Sequence, residues 1–129
     1  MGRQPTDKLG VGDLKMELRE WFRVRLRETG IQLDVSPPGK AAWQALIPWA
    51  DITRVCYKVE DGFMSNGWYL FTKQRPESYA VPVEADGGDA LLDELLKRKL
   101  FDAELTIRAA MAFNEVFCWP PVESGPAKR

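Results

Sequence analysis

The sequence predicts an α+β fold: a strongly bent antiparallel β-sheet, or partly open barrel, of six or seven strands, capped by a C-terminal amphipathic helix, with a second short helix behind it. Three observations carry that expectation. Apolar residues alternate with polar ones along most of the stretch from Phe22 to Val83, the period of half-buried strands. Gly, Pro, Asn and Asp punctuate the same stretch at short intervals, as turns require. At Asp86 the period changes abruptly, and "DALLDELLKRKLF" places Leu91, Leu92, Leu95, Leu96 and Leu100 on one broad helical stripe.

The elements follow in order. Phe22, Val24 and Leu26 point one way while Arg23, Arg25 and Arg27 point the other; after "ETG" the phase resumes with Ile31, Leu33 and Val35 inward. A β-hairpin is expected, with Gly30 supplying a positive φ in the short loop. "SPPGK" ends the pair, because two prolines cannot donate to a ladder. "AAWQALI" offers a third strand with Trp43, Ala45 and Ile47 on one face. Trp49 and Ile52 stand three apart, which fits a turn or bulge, and Val55, Tyr57 and Val59 then alternate. Trp49 is therefore expected beneath the bend, in the core and touching the leucine-lined helix. "EDGFMSNG" carries two turn signals before the strand "WYLFTK", and "QRPES" turns again. "SYAVPV" follows as a strand that Pro82 assigns to a sheet edge or strand end. Asp86 is a suitable N-cap for the first helix, and Lys97, Arg98 and Lys99 complement its C-terminus. A second helix is expected from near Asp102 to about Asn114, followed by the extended apolar segment "VFCWPP".

This order of strands and capping helix resembles the PH superfold, and in particular bacterial PH-like domains. The resemblance rests on the hairpin "VRLRETGIQLDV", on "IPWADITRV" with its tryptophan, acidic residue and isoleucine at a strand entry, and on "SYAVPVEADGGDALLDELLKRKLF". It spans about Trp21 to Phe101 and leaves residues 102–121 as an extra segment. The resemblance implies a scaffold that binds lipids, peptides or proteins, with some members assembling into rings. It transfers no catalytic residue.

Length and composition narrow the functional classes. A chain of 129 residues with 45% hydrophobic residues, five Trp and six Phe can bury a core of its own. A single domain is expected over residues 15–121, with tails at 1–14 and 122–129. The 18 basic and 19 acidic residues give a net charge of -1, without the basic excess that a nucleic-acid backbone rewards. No stretch approaches the roughly 20 apolar residues of a membrane span, and nothing at the N-terminus reads as a signal peptide. A cytoplasmic protein with reduced thiols at Cys56 and Cys118 is the expectation, away from the membrane surface. There is no histidine, which removes the usual general base near neutral pH and the commonest zinc ligand. No enzyme activity, cofactor or metal is expected.

Several residue groups are candidates for binding. Alternate strand positions stand about 6.5 to 7 Å apart, so Arg23, Arg25 and Arg27 form a row that could hold phosphate groups or an acidic peptide. Their bland alternative is pairing with acidic side chains such as Glu28, Asp34 or Glu17 on neighbouring elements. Phe63, Met64 and Trp68 could make an exposed apolar patch around the "GFMSNGW" loop. Phe117, Trp119, Pro120 and Pro121 either staple the C-terminus across the sheet or present an anchor to another protein. The carboxylate clusters Glu60 with Asp61, Glu84 with Asp86, and Asp102 with Glu104 lie at turns or helix starts, where acidic side chains cap backbone donors. The leading expectation is a noncatalytic protein- or peptide-binding domain able to form homo-oligomers. The alternative is a small-anion or lipid-head-group binder using the arginine row.

Overall fold

In a computed structural model, residues 18–60, 66–112 and 114–121 are described. They form an α+β fold with two antiparallel sheets. A helical turn at residues 18–21, unforeseen in the sequence, leads into strand β1, Phe22–Leu26. β2 spans Gly30–Val35 and β3 Trp43–Pro48, and these make a three-stranded sheet in the order β1-β2-β3. β4 (Ile52–Val59), β5 (Gly67–Thr72), β6 (Tyr79–Pro82) and β7 (Glu115–Trp119) make a four-stranded sheet in the order β6-β5-β4-β7. Two short helices, α1 (Leu91–Lys97) and α2 (Ala103–Ala109), lie between β6 and β7.

The expected single curled sheet is thus divided in two, and among the described residues no closed barrel forms. The division falls where the alternation breaks. After Pro48 the chain makes a 3-10 turn, Trp49–Asp51, and enters β4 with a register shift between Ile52 and Arg54. Trp49 is 9% exposed, as expected of a core residue. Its indole N–H donates to the Arg27 carbonyl at 2.9 Å and its backbone N–H to that of Thr29 at 3.1 Å. The tip of the β1-β2 hairpin therefore clasps the corner between the sheets.

Period two holds on both strands of that hairpin. Phe22, Val24, Ile31, Leu33 and Val35 are buried, and Arg23 and Arg25 are exposed. Gly30 does not take the positive φ expected of it. Arg27 and Gly30 exchange backbone hydrogen bonds, and a Cβ on Gly30 would stand 2.3 Å from the Ile47 carbonyl oxygen. The glycine is required by the close approach of β3, a contact between residues far apart in sequence.

Asp86 is not the N-cap of α1. Its backbone bonds to β1 on both sides: its N–H donates to the Phe22 carbonyl at 2.9 Å, and its carbonyl accepts from the Val24 N–H at 2.7 Å. Gly87, at φ 84, turns the chain away from β1, where a Cβ would lie 2.2 Å from the Val24 carbonyl oxygen. Gly87 instead precedes a 3-10 turn, Gly88–Ala90, and α1 follows. Leu91 and Leu95 are fully buried, and Leu92, Leu96 and Leu100 pack at the margin, so the leucine stripe faces the sheets. Burying each leucine is worth roughly 1.5–3 kcal/mol.

The end of α1 is closed without glycine. Leu100 N–H donates to the Leu95 carbonyl at 2.8 Å and Lys99 N–H to the Leu96 carbonyl at 3.1 Å, with Lys99 left-handed at φ 61. This paired 6→1 and 5→2 pattern satisfies the helix's last carbonyls. Arg98 beside it bonds Glu94 at 2.7 Å and lies over the Trp49 ring at 4.2 Å, pinning α1 to the corner. α2 then returns the chain to β7, with Asp102 at its N-cap position.

Candidate functional site

The outermost strand of the three-stranded sheet has the features of a binding edge. β3 pairs with β2 over its whole length, from Gly30 opposite Pro48 to Val35 opposite Trp43. Hydrogen-bonded and non-hydrogen-bonded pairs alternate along an antiparallel ladder. Gly30 spends its N–H and carbonyl on Arg27, so Gly30 and Pro48 are a non-bonded pair. It follows that Trp43, Ala45 and Ile47 bond inward to β2. The N–H and carbonyl groups of Gln44 and Leu46, with the carbonyl of Pro48, point to the free side. Among the described residues no strand pairs with that side.

The edge is apolar as well as unpaired. Leu46 is 54% and Trp43 41% exposed, and β3 contains no charged residue. Trp43 shares the inward parity of Ala45 and Ile47, as the alternation predicts, and meets Phe22 edge to face with ring centroids 6.3 Å apart. It remains exposed at the outer side of β3, where no described strand covers it. On the opposite face of the sheet, Arg27, Thr29, Gln32, Gln44, Ala45 and Leu46 line a groove of about 440 Å³ that runs to the edge.

Arg27, at one end of the arginine row, lines this groove. Arg23 stands opposite Asp34 and Arg25 opposite Gln32. Asp34 takes Arg25 at 3.7 Å and a bond from the Gln32 amide at 3.2 Å, while Arg27 Nε donates to the Gln32 side-chain oxygen at 2.7 Å. Two of the three guanidinium groups are thus engaged by neighbouring strands.

The other sequence candidates are dispersed. Trp68 is 3% exposed and belongs to the core, which corrects its place in an exposed patch. It packs on Tyr57 at 4.5 Å and edge-on against Phe101 at 5.1 Å. These three rings line a second cavity, about 420 Å³, with Leu92, Ala109, Asp89 and others, between the four-stranded sheet and the helices. Phe63 and Met64 lie outside the described residues. Trp119 is partly exposed at the end of β7, where Arg54 bonds the carbonyls of Pro120 at 2.9 Å and Pro121 at 3.3 Å. "VFCWPP" adds β7 to the open side of β4, with Phe117 buried and Val116 and Trp119 exposed.

The thiols are a further correction. Cys56 and Cys118 face each other across β4 and β7 with Cα atoms 4.0 Å apart, and they form a disulfide instead of remaining reduced. Among the described residues no group of three or more His, Cys, Asp or Glu could hold a metal ion, and no helix is long and apolar enough to cross a membrane.

Alternation alone does not single out Gln44 or Leu46. The available signal was the absence of charge from "AAWQALIP", a strand flanked by prolines. No family model matches the chain, and neither curated proteins nor solved structures yield a match.

Proposed function

We propose that this chain is a noncatalytic protein-interaction domain that takes up an extended peptide segment as a fourth strand against β3. The observation that carries the reading is the row of outward N–H and carbonyl groups at Gln44 and Leu46, on an uncharged edge with exposed Leu46 and Trp43. Strand addition draws affinity from the main chain and selectivity from pockets that receive alternate side chains. The groove beside Leu46, with Arg27 and Gln32 in its lining, supplies such a pocket.

Two features weigh against the runner-up, a small-anion or head-group binder. Asp34 lies within the arginine row, and Gln32 already occupies Arg27. The cavity around Tyr57, Trp68 and Phe101 is lined mainly by apolar groups, with Asp89 and Thr106 among the polar side chains. Kinship with PH-like domains remains part of this proposal. Seven strands and a leucine-lined helix fit that scaffold, whereas β7, added after the helices, departs from it. The disulfide favours an oxidising compartment over the cytoplasm.

The test is to pan a display library of unstructured heptapeptides against the wild type and Leu46→Pro. Proline at position 46 removes an outward N–H and leaves the bonds between β2 and β3 intact. Sequences enriched on the wild type and lost on the variant support strand addition. Equal enrichment on both proteins, or none on either, rejects it.

A further inference from the structure

We infer that the segment received by β3 is β3 of a second copy, so that two three-stranded sheets join into one continuous sheet about a two-fold axis. The inference rests on the strand-addition reading and goes beyond it by naming the partner.

Hydrogen-bond complementarity is the first argument. In an antiparallel pairing of identical strands, one register sets Gln44 opposite Leu46 of the second copy and Ala45 opposite Ala45. Gln44 and Leu46 carry the outward groups, so this register makes them the hydrogen-bonded pairs, and both outward N–H groups of each copy find a carbonyl. Pro48, which has no N–H, falls opposite Ala42, beyond the end of the strand. Shifting the register so that Leu46 meets Leu46 places Pro48 opposite Gln44, whose carbonyl then faces a residue with no donor. Shifting it the other way, to Gln44 opposite Gln44, sets Leu46 against Ala42 and shortens the overlap. The position of the proline thus selects the first register.

Side chains and charge point the same way. In that register Trp43 lies opposite Ile47 of the second copy, and Leu46 lies beside Gln44, so both exposed apolar residues of the edge gain cover. Soluble proteins commonly keep edge strands apart with a charged residue, a bulge or a proline. Trp43–Pro48 has no charge and no register shift against β2, and its one proline stands at the strand's end. A net charge of -1 opposes association of two copies only weakly.

The experiment is sedimentation velocity of the full chain over a concentration series, for the wild type, Leu46→Pro and Leu46→Lys. The lysine variant changes only an exposed side chain, so it keeps the test valid if proline disturbs folding. We expect a wild-type dimer, and a dissociation constant roughly thirtyfold or more weaker in Leu46→Pro, which loses the Leu46 N–H of both copies. Ala45→Cys tests the register. Non-hydrogen-bonded partners stand about 4.5 Å apart between Cα atoms, close enough for a disulfide. Mild oxidation should therefore yield a covalent dimer that Leu46→Lys suppresses.

A wild-type chain that stays monomeric at every concentration overturns self-pairing, as does a dimer indifferent to both Leu46 variants. An intact dimer that Ala45→Cys fails to cross-link overturns the register. The peptide panning separates these failures from that of the broader reading. A monomer that still enriches peptides through β3 is a strand-addition domain with another partner, whereas one that enriches none defeats both.

Discussion

The two sheets end differently. β7 closes the four-stranded sheet as a short strand, with Glu115 at one end and two prolines just past the other, and the Cys56–Cys118 bond ties it to β4. β3 closes the three-stranded sheet with six residues, no charge and no covalent tie. Both present an unpaired side among the described residues, and both carry exposed apolar groups, Val116 and Trp119 on β7 against Trp43 and Leu46 on β3. β7 is itself an added strand, supplied by the chain's own C-terminal segment and locked in place. β3 offers the same kind of edge, and among the described residues no strand takes it.

The sharpest way to erase this contrast is to remove the corner both sheets share. Trp49→Ala should cost on the order of 3 to 5 kcal/mol, and urea denaturation should report the loss. Hydrogen exchange should accelerate in both sheets together; a loss below about 1 kcal/mol would show that Trp49 does not support the core.

Replacing both cysteines by alanine acts on one side only. The bond closes a loop of sequence separation 62, and its removal should cost about 2 to 4 kcal/mol. Amides of β7 should exchange faster while those of β1 and β2 keep their order of protection. Uniform loss across both sheets would mean that β7 stabilises the whole core.

Gly87→Ala tests the remaining edge of the smaller sheet, where residues around Asp86 cover β1. A side chain at φ 84, against the Val24 carbonyl, should destabilise by about 1 to 3 kcal/mol. The Val24 amide should lose protection before that of Leu33. If the two exchange in step, the cover on β1 is not an independent unit.

The smallest effect belongs to the polar face. Arg25→Ala removes a half-exposed ion pair at 3.7 Å and should change stability by less than about 1 kcal/mol. It leaves the backbone edge untouched, so peptide enrichment should persist. Loss of enrichment with unchanged stability would move the binding surface from the edge to the arginine row.

Much of the fold was legible because it is local. Alternation at Phe22–Leu26 and Ile31–Val35 reports which face is buried, the three-residue step from Trp49 to Ile52 reports the corner, and the leucines of α1 report its buried stripe. What stayed hidden depends on distant partners. Gly30 is a glycine because of Ile47, and Asp86 is diverted from capping by a bond to β1. The basic run at Lys97–Lys99 marks the end of α1, but that Lys99 takes the left-handed position there is not legible. The turn residues before Trp68 point to an exposed position, whereas its strand turns it toward Tyr57 and Phe101. The candidate edge was the least legible part. Alternation assigns side chains to faces and says nothing about which backbone groups lack a neighbour.

The corner at Trp49 also gives the molecule a direction of mechanical resistance. β3 runs through Pro48 straight into Trp49, whose indole N–H bonds the Arg27 carbonyl, whose backbone N–H bonds that of Thr29, and whose ring is roofed by Arg98. Tension applied lengthwise through a joined strand would meet that anchorage within one residue, while force applied sideways would peel β3 from β2 one bond at a time. Optical-tweezer pulling along the two axes should rupture at a clearly higher force lengthwise; equal forces would mean that the indole does not serve as an anchor.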